Sequence, residues 1–364
     1  MPGPYIGLMS GTSMDGIDAV LVAFGTDIAP ALLHHAHQPF SLQLRGTLLA
    51  LNEPGNNELH RAALAANALS LGYATVVRTL LAQAGVSADE VSAIGCHGQT
   101  VRHDPKTGYT IQLVNGALLA ELSGIRVVCD FRSRDIAAGG EGAPLVPAFH
   151  RAVFAHPQHT RAVVNIGGIA NITYLPTQGG VAGFDCGPGN VLMDGWIMAH
   201  RGAAYDAGGT WAAQGKVLPE LLERLLVHEF FTRPPPKSTG REMFNLQWLR
   251  DTLAGNERPV DVQATLRELT AATIAYALDA HCADAAEVYL CGGGARNDAL
   301  RERLAALLPH RRVAVTDELG ITAESVEAAA FAWLAQHALA GEPGNLSQVT
   351  GARGPRILGA IYPA

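Results

Sequence analysis

Several short polar stretches of this 364-residue chain have the residue types and spacing to handle phosphate and other small polar ligands. The first is Gly7-Leu-Met-Ser-Gly-Thr-Ser-Met-Asp-Gly-Ile-Asp18, between the apolar runs Tyr5-Ile6 and Ile17–Phe24. Gly11 and Gly16 permit positive φ and leave no side chain in the way. Backbone N–H groups and the hydroxyls of Ser10, Thr12 and Ser13 can then converge on an anion, phosphate first among candidates. An ordinary loop between two strands accounts for the stretch equally well. No Gly-Lys-Ser/Thr follows, so it is not a Walker-type loop. A second cluster, His97-Gly-Gln-Thr100, ends a strand pattern and is joined by Arg102 and His103. A third, Asp130-Phe-Arg132-Ser-Arg134-Asp135, follows the next strand pattern. Polar clusters at strand C-termini are where α/β sheets bind ligands, although a lone histidine is more often structural. The stretch Gly183-Phe-Asp-Cys-Gly-Pro-Gly-Asn190 holds Asp185 on a stiff Gly/Pro turn, where aspartate is also common as a plain turn residue.

The elements that must carry these residues alternate between strand and helix. Residues 5–24 read as a hairpin, and 31–40 continue the sheet. Glu58 to Ala84 is one long helix or two, with Leu64, Leu69, Tyr73, Val76, Val77, Leu80 and Leu81 on its apolar face, Gly72 as an interruption, and Gly85 as its C-cap. Ser87-x-x-Glu90 has the form of a capping box. Val91–Cys96 and Arg126–Cys129 are strands, and Asn115–Leu122 is a short helix. Ala137–Pro147, rich in Gly with two prolines, reads as a link between domains and as one wall of a cleft, or as a plain linker.

Arg161–Leu175 is again strand, glycine turn, strand, with Gly167 and Gly168 at the turn. It repeats the first hairpin about a domain later and suggests a duplicated architecture with a nucleotide between the halves. A helix is expected over 190–201. Thr232–Asn245, with three successive prolines, is a loop; its Lys237 and Arg241 are expected to line the cleft or an interface. Asp261 is expected to cap a helix running to about His281. Glu287–Cys291 is a strand running into Gly292, Gly293 and Gly294, where backbone can approach a flat ring or a phosphate. Thr322–Trp333 is a helix on which Glu327 lies at the edge of the apolar face or is buried with a partner. The tail is strand-like at 356–362 and is expected to pack back on the first domain.

The order of these motifs resembles the anhydro-N-acetylmuramic acid kinases of the sugar kinase/Hsp70/actin superfamily. Gly-Leu-Met-Ser-Gly-Thr-Ser-Met-Asp-Gly-Ile-Asp, His97-Gly-Gln-Thr, Asp130-Phe-Arg, Phe184-Asp-Cys-Gly-Pro-Gly-Asn, Pro235-Pro-Lys-Ser-Thr-Gly-Arg-Glu and Gly292-Gly-Gly carry the resemblance across nearly the whole chain. It implies an α/β, two-domain actin-like ATPase (ribonuclease H-like) fold with a nucleotide cleft between the domains, divided here at 136/137. It implies ATP and Mg²⁺ as cofactors. Gly11, Thr12, Ser13, Met14, Asp15, Gly16, Ile17, Asp18, Gly167, Gly168, Gly292, Gly293 and Gly294 would bind the nucleotide. His97, Gln99, Thr100, Asp130, Arg132 and Glu327 would bind the sugar, and Asp185 would be the catalytic base. The reaction implied is ATP-dependent opening of 1,6-anhydro-N-acetylmuramic acid with phosphorylation of O6, in peptidoglycan recycling. Relatives often have Asp at the position of Asn165, Gln at that of Glu141 and Thr at that of Cys186. The metal-anchoring carboxylates are therefore unassigned. An ordinary sugar kinase, a phosphohydrolase or chaperone-like ATPase, and a non-enzymatic interaction protein are the alternatives.

Composition sets the limits. Hydrophobic residues make up 48% and charged residues 16%, which fits two globular domains with substantial cores. A net charge of −7 argues against a general nucleic-acid surface. Five cysteines with no Cys-x-x-Cys pair read as reduced thiols. The N-terminus has no signal-peptide pattern and no apolar run looks long enough to span a bilayer. The expectation is a cytoplasmic protein with a small-molecule sugar substrate, no nucleic-acid or membrane partner, and a homodimer as one option.

Overall fold

A computed structural model describes residues 3–11, 14, 16–25 and 30–364. The chain forms two compact units, one of residues 1–153 with 325–364 and one of residues 154–324.

The first unit opens with β1 (Tyr5–Met9), β2 (Gly16–Ala23) and β3 (Ala31–Pro39), followed by α1 (Leu42–Ala50) and α2 (Glu58–Ala84). Next come β4 (Ala93–Cys96), β5 (Gln99–Asp104), β6 (Tyr109–Leu113), α3 (Gly116–Ser123), β7 (Val127–Cys129), α4 (Ser133–Ala137) and α5 (Val146–Phe154). The second unit holds β8 (Arg161–Ile166), β9 (Ile169–Leu175), β10 (Ala182–Pro188), α6 (Val191–Arg201), α7 (Pro219–Leu226), α8 (Leu246–Thr252), α9 (Pro259–His281), β11 (Glu287–Cys291), α10 (Asp298–Leu307) and β12 (Arg312–Val315). The chain then returns to the first unit as α11 (Val326–Ala340), α12 (Ser347–Thr350) and β13 (Ala360–Tyr362).

The two main sheets share one plan. In the first unit the order is β13-β7-β4-β1-β2-β3, and in the second β10-β9-β8-β11-β12. Each contains three antiparallel strands in succession, then two strands parallel to the first of them. Counted along the chain within each sheet, both contain the order 3-2-1-4-5, with β13 added antiparallel at the β7 edge of the first. This is the duplicated ribonuclease H-like sheet of the actin-like ATPase fold.

Gly72 does not interrupt α2, which runs unbroken to Gly85 in the left-handed conformation. On length and hydropathy α2 is the one helix among the described residues that could cross a membrane, contrary to the sequence expectation. Its apolarity has a local use: Leu69, Tyr73, Val76, Val77 and Leu80 are buried in the core of the first unit and Leu81 packs against it, whereas Leu64, expected on the same face, is exposed. The capping box at Ser87 and Glu90 forms around a short 3-10 turn.

Helix α11 lies on the same sheet at very close range. A Cβ at Gly7 would sit 1.8 Å from the Ala328 carbonyl oxygen, and one at Gly95 would sit 1.9 Å from that of Phe331. The two glycines are paired neighbours on β1 and β4, so together they form a trough for the helix. Ala328, Ala329, Ala330 and Ala332 are fully buried, as expected where helix and sheet backbones approach this closely.

Four sequence expectations change. The Gly-rich stretch 137–147 does not mark the division between the units, because Asp135 ties it into the first one. Asp261 is not the cap of α9; Arg258 precedes the helix, and the Asp261 carboxylate accepts from Lys216 N instead. Asp185 is not on a turn but within β10, opposite Asn171 of β9. The tail strand is confined to Ala360–Tyr362, where it pairs antiparallel with β7.

Candidate active site

In the first unit, β4 ends at Cys96 and delivers His97 into the core, where it is 5% exposed. Arg132, one residue before α4, donates to His97 Nε2 from Nε at 3.2 Å and from Nη2 at 2.9 Å. Its Nη1 donates to the Gly142 carbonyl at 2.8 Å. Nε2 is thus an acceptor, which places the imidazole proton on Nδ1. Burial, reinforced by the Arg132 charge, pushes the His97 pKa down to about 3. His97 is therefore neutral and acts here as a rest for Arg132. Burial also lowers the Arg132 pKa to about 10, opposed by the charges of Glu327 and Asp135. The structure thus groups His97, Arg132 and Glu327, from three separate elements.

Other residues of the sugar-like set have structural tasks. Gln99 is fully buried and donates from Nε2 to Gly11 O at 3.2 Å, tying the β4–β5 connection to the first glycine-rich turn. Thr100 Oγ1 accepts from Gln112 on β6. Arg102 is spent on the Leu51 carbonyl and the Glu58 carboxylate, and His103 contacts Thr110. Asp130 is exposed, has φ +57°, and accepts from Ser133 Oγ at 2.5 Å. It lines a surface groove with Arg134 and Arg356.

Of the first hairpin's residues, Thr12, Ser13 and Asp15 lie outside the described residues. Met14 N closes a turn on Gly11 O at 3.2 Å. Met14 and Ile17 are buried in the core, so any ligand contact from them is through backbone. Gly16 is demanded by packing, since a Cβ there would lie 2.5 Å from Gln38 O. Asp18 Oδ1 accepts from His35 Nε2 at 3.2 Å and lies 3.0 Å from His37 Nδ1. Burial works against ionisation of Asp18, but the two histidines outweigh it and hold the carboxyl below its usual range.

Asp135 fastens the Gly-rich stretch to the returning chain. Its Oδ2 accepts from Gly142 N at 2.8 Å; its Oδ1 accepts from Asn345 Nδ2 at 2.6 Å and from Thr350 Oγ1 at 2.7 Å. The residue is fully buried. Removing such a carboxylate strands Gly142 N and leaves Asn345 Nδ2 and Thr350 Oγ1 only long contacts to Gly354 O at 3.4 Å and Leu346 O at 3.5 Å, at about 1–3 kcal/mol for each lost bond before relaxation. Asp135→Ala is therefore expected to lower stability by about 3 kcal/mol or more. Urea melts of the variant check this, and an unchanged midpoint would count against it.

In the second unit three turns converge. The β8–β9 turn carries Gly167 and Gly168, whose carbonyls accept from Gly189 N, Asn190 N and Val191 N at 2.8–3.1 Å. Thr270 of α9 donates to the Pro188 and Gly189 carbonyls, pinning the Gly-Pro-Gly segment from below. Asn190 Nδ2 donates to Ile166 O at 3.2 Å. The three successive glycines differ in kind. At Gly292 and Gly294 a Cβ would come within 2.3 Å of Asn165 Oδ1 and Ile166 Cγ2, so internal packing requires them. At Gly293 nothing lies closer than 3.9 Å. Gly167 and Gly168 are similarly open, with nothing nearer than 3.6 Å; at Gly168 a Cβ would lie 3.9 Å from both Arg241 Nη2 and Val191 Cβ. Neither φ nor protein packing demands glycine at 167, 168 or 293. The backbone at these three positions is therefore open to approach by a ligand.

Asp185 stands at the edge of this group. A β-bulge separates it from Gly187, whose Cβ would lie 2.8 Å from the Phe231 ring. Bulges re-aim side chains in this manner near functional sites. Thr239 N donates to Asp185 Oδ2 at 2.9 Å and Ser238 Oγ donates to the same oxygen at 3.1 Å. Burial raises the carboxyl pKa to about 6 despite these donors, with Glu242 adding to the rise and Lys237 opposing it.

Residues 3–364 match the family model described as anhydro-N-acetylmuramic acid kinase. The chain belongs to the anhydro-N-acetylmuramic acid kinase family. It is 58% identical over 362 residues to the anhydro-N-acetylmuramic acid kinase of Nitrosomonas europaea, covering 99% of each chain. It is 57% identical to that of Thiobacillus denitrificans, covering 99% of this chain and 97% of the other. Among solved structures, the ADPNP-bound activator of 2-hydroxyisocaproyl-CoA dehydratase from Clostridium difficile matches with a TM-score of 0.46 at 12% identity, over 90% of this chain and 92% of that one. As a member of this kinase family the chain is an ATP-using phosphotransferase with an alcohol group as acceptor and a small sugar as substrate. Sequence reasoning missed the contribution of Ser238, Thr239 and Asn190 to this kinase's second unit. A hydroxyl pair beside three prolines was the available signal for the first two.

Proposed function

We propose that this kinase hydrolytically opens 1,6-anhydro-N-acetylmuramic acid and transfers the ATP γ-phosphoryl group to O6, giving N-acetylmuramic acid 6-phosphate for peptidoglycan recycling in the cytoplasm. The observation that carries the reading is Asp185: a half-buried carboxylate, re-aimed by a bulge, held through one oxygen, and poised near neutral pH. Asp185 takes a proton from water as the water oxygen bonds to C1. The C1–O6 bond breaks, and O6 takes the phosphoryl group as ADP departs. General-base help of this kind contributes about 10²–10⁴-fold.

Gly167, Gly168 and Gly293 are assigned to the nucleotide because their backbone is open where packing would tolerate a side chain. The first hairpin, Gly11 to Asp18, is assigned to the phosphates. Arg132 and Glu327 are assigned to the sugar, with His97 orienting Arg132. Gln99, Thr100 and Asp130 belong to the same substrate set, the first two by shaping the pocket wall. Among the described residues no three His, Cys, Asp or Glu side chains form a metal cage. Mg²⁺ is accordingly assigned to the ATP phosphates, where it would neutralise charge, and no protein ligand is named for it. The two compact units correspond to two domains, one carrying the sugar residues and the other the base.

Brief turnover in ¹⁸O-water, before anomeric exchange, tests the reaction by mass spectrometry. Label is expected at C1 and absent from the phosphoryl group. Label in the phosphoryl group would mean that water attacks ATP and would make the chain a hydrolase. No label in either product would make it an ordinary hydroxyl-directed sugar kinase.

A further inference from the structure

The 232–245 loop closes around one carboxylate. Asp185 N donates to Lys237 O at 3.0 Å, while Thr239 N and Ser238 Oγ both donate to Asp185 Oδ2. The loop is fastened at both ends. Lys237 Nζ donates to the Phe230 and Phe231 carbonyls at 3.1 Å each, and it sits 4.8 Å from the centre of the Phe230 ring. Phe244 stacks on Phe231 with ring centres 5.4 Å apart, and packs edge-on against Phe230 and Trp248. Between these anchors, Pro234, Pro235 and Pro236 restrict φ. Two of the three ammonium hydrogens of Lys237 are thus committed to carbonyls at the start of the loop.

We propose that this loop is the positioning element of the base: Ser238 and Thr239 grip Asp185 Oδ2, fixing the carboxylate so that Oδ1 is the oxygen presented to water. The inference rests on Asp185 being the base. Two donors on one oxygen stop rotation of the carboxylate and leave the second oxygen as proton acceptor. Ser238 is exposed, so water could satisfy its hydroxyl and folding does not require the contact. The grip also favours the ionised form against burial, which on its own would carry the carboxyl further up. The charged groups facing Asp185 are Lys237, which assists ionisation, and Glu242, which opposes it. The neighbouring Cys186 thiol is pushed up by burial and stays neutral.

Ser238→Ala in the full chain tests this, with Ser238→Thr as the conservative restoration. At pH 7 kcat is expected to fall about tenfold, as for a misaligned catalytic group. KM for ATP and sugar should each move by less than about twofold, since ground-state binding is untouched. The acidic limb of the pH–rate profile should move to higher pH, and Ser238→Thr should recover most of the rate. Added to Asp185→Asn, Ser238→Ala should change nothing further. An unmoved limb and kcat in Ser238→Ala, with Asp185→Asn inactive, would overturn the positioning role and leave the base in place. A near-normal rate for Asp185→Asn would remove the base reading itself, and the grip with it.

Discussion

Asp185→Asn is expected to reduce turnover by about 10²–10⁴-fold, the range lost with a positioned general base. The amide keeps the size of the carboxylate and can still accept from Thr239 N and Ser238 Oγ through its oxygen. It cannot take a proton from water. Calorimetric affinities for ATP and sugar should be close to wild type, which separates this outcome from misfolding. The wild-type pH dependence gives a second check. Only ionised Asp185 can act as base, so kcat/KM should fall as pH drops through about 6, the value set mainly by burial. His97 contributes no limb in that region, since its pKa lies near 3. A flat profile from pH 5 to 8, or near-normal turnover by the amide variant, would take Asp185 out of the chemistry.

Arg132→Ala is expected to cost about 10²-fold in kcat/KM for the sugar, the scale of losing a substrate-orienting group. ATP affinity should be largely kept. The guanidinium is held from both sides, by His97 Nε2 and by Gly142 O, so its position is set before any ligand arrives. Truncation leaves both acceptors without their donor and should also lower the melting temperature. Glu327→Ala separates function from that structural effect, because Glu327 is only half-buried at the first turn of α11. It should impair sugar turnover in the same direction with a smaller loss of stability. If either variant loses ATP binding and keeps sugar binding, the assignments of sugar and nucleotide residues are reversed.

What the sequence made legible was local. The hairpins of residues 5–23 and 161–175, the glycine turn after β11 and the polar run after β4 are each written in consecutive residues, with turn chemistry and strand periodicity in plain view. The topology and family then followed from their order. What stayed hidden depends on distant pairs. Asp135 reads as one more charge in a polar cluster until Thr350, 215 residues away, donates to it. Lys237 reads as a cation lining the cleft or an interface, yet its ammonium group donates to two backbone carbonyls of its own loop. Asp185 reads as a turn residue, because Gly-Pro-Gly suggests a turn and the bulge that keeps Asp185 in β10 depends on pairing with β9. The three glycines at 292–294 look alike in sequence, and only their neighbours distinguish packing from access.

The trough formed by Gly7 and Gly95 carries a consequence for biosynthesis. Both glycines are made early, but α11, the helix they accommodate, follows the whole of residues 154–324. The second unit is continuous in sequence and can complete itself as it leaves the ribosome, whereas the first must wait with one face of its sheet bare. That waiting face includes the strands that carry the first hairpin, and its β7 edge is unpaired until β13 arrives. A nonsense mutation just before α11 would leave a complete second unit attached to a first unit that can neither cover its sheet nor seat Glu327.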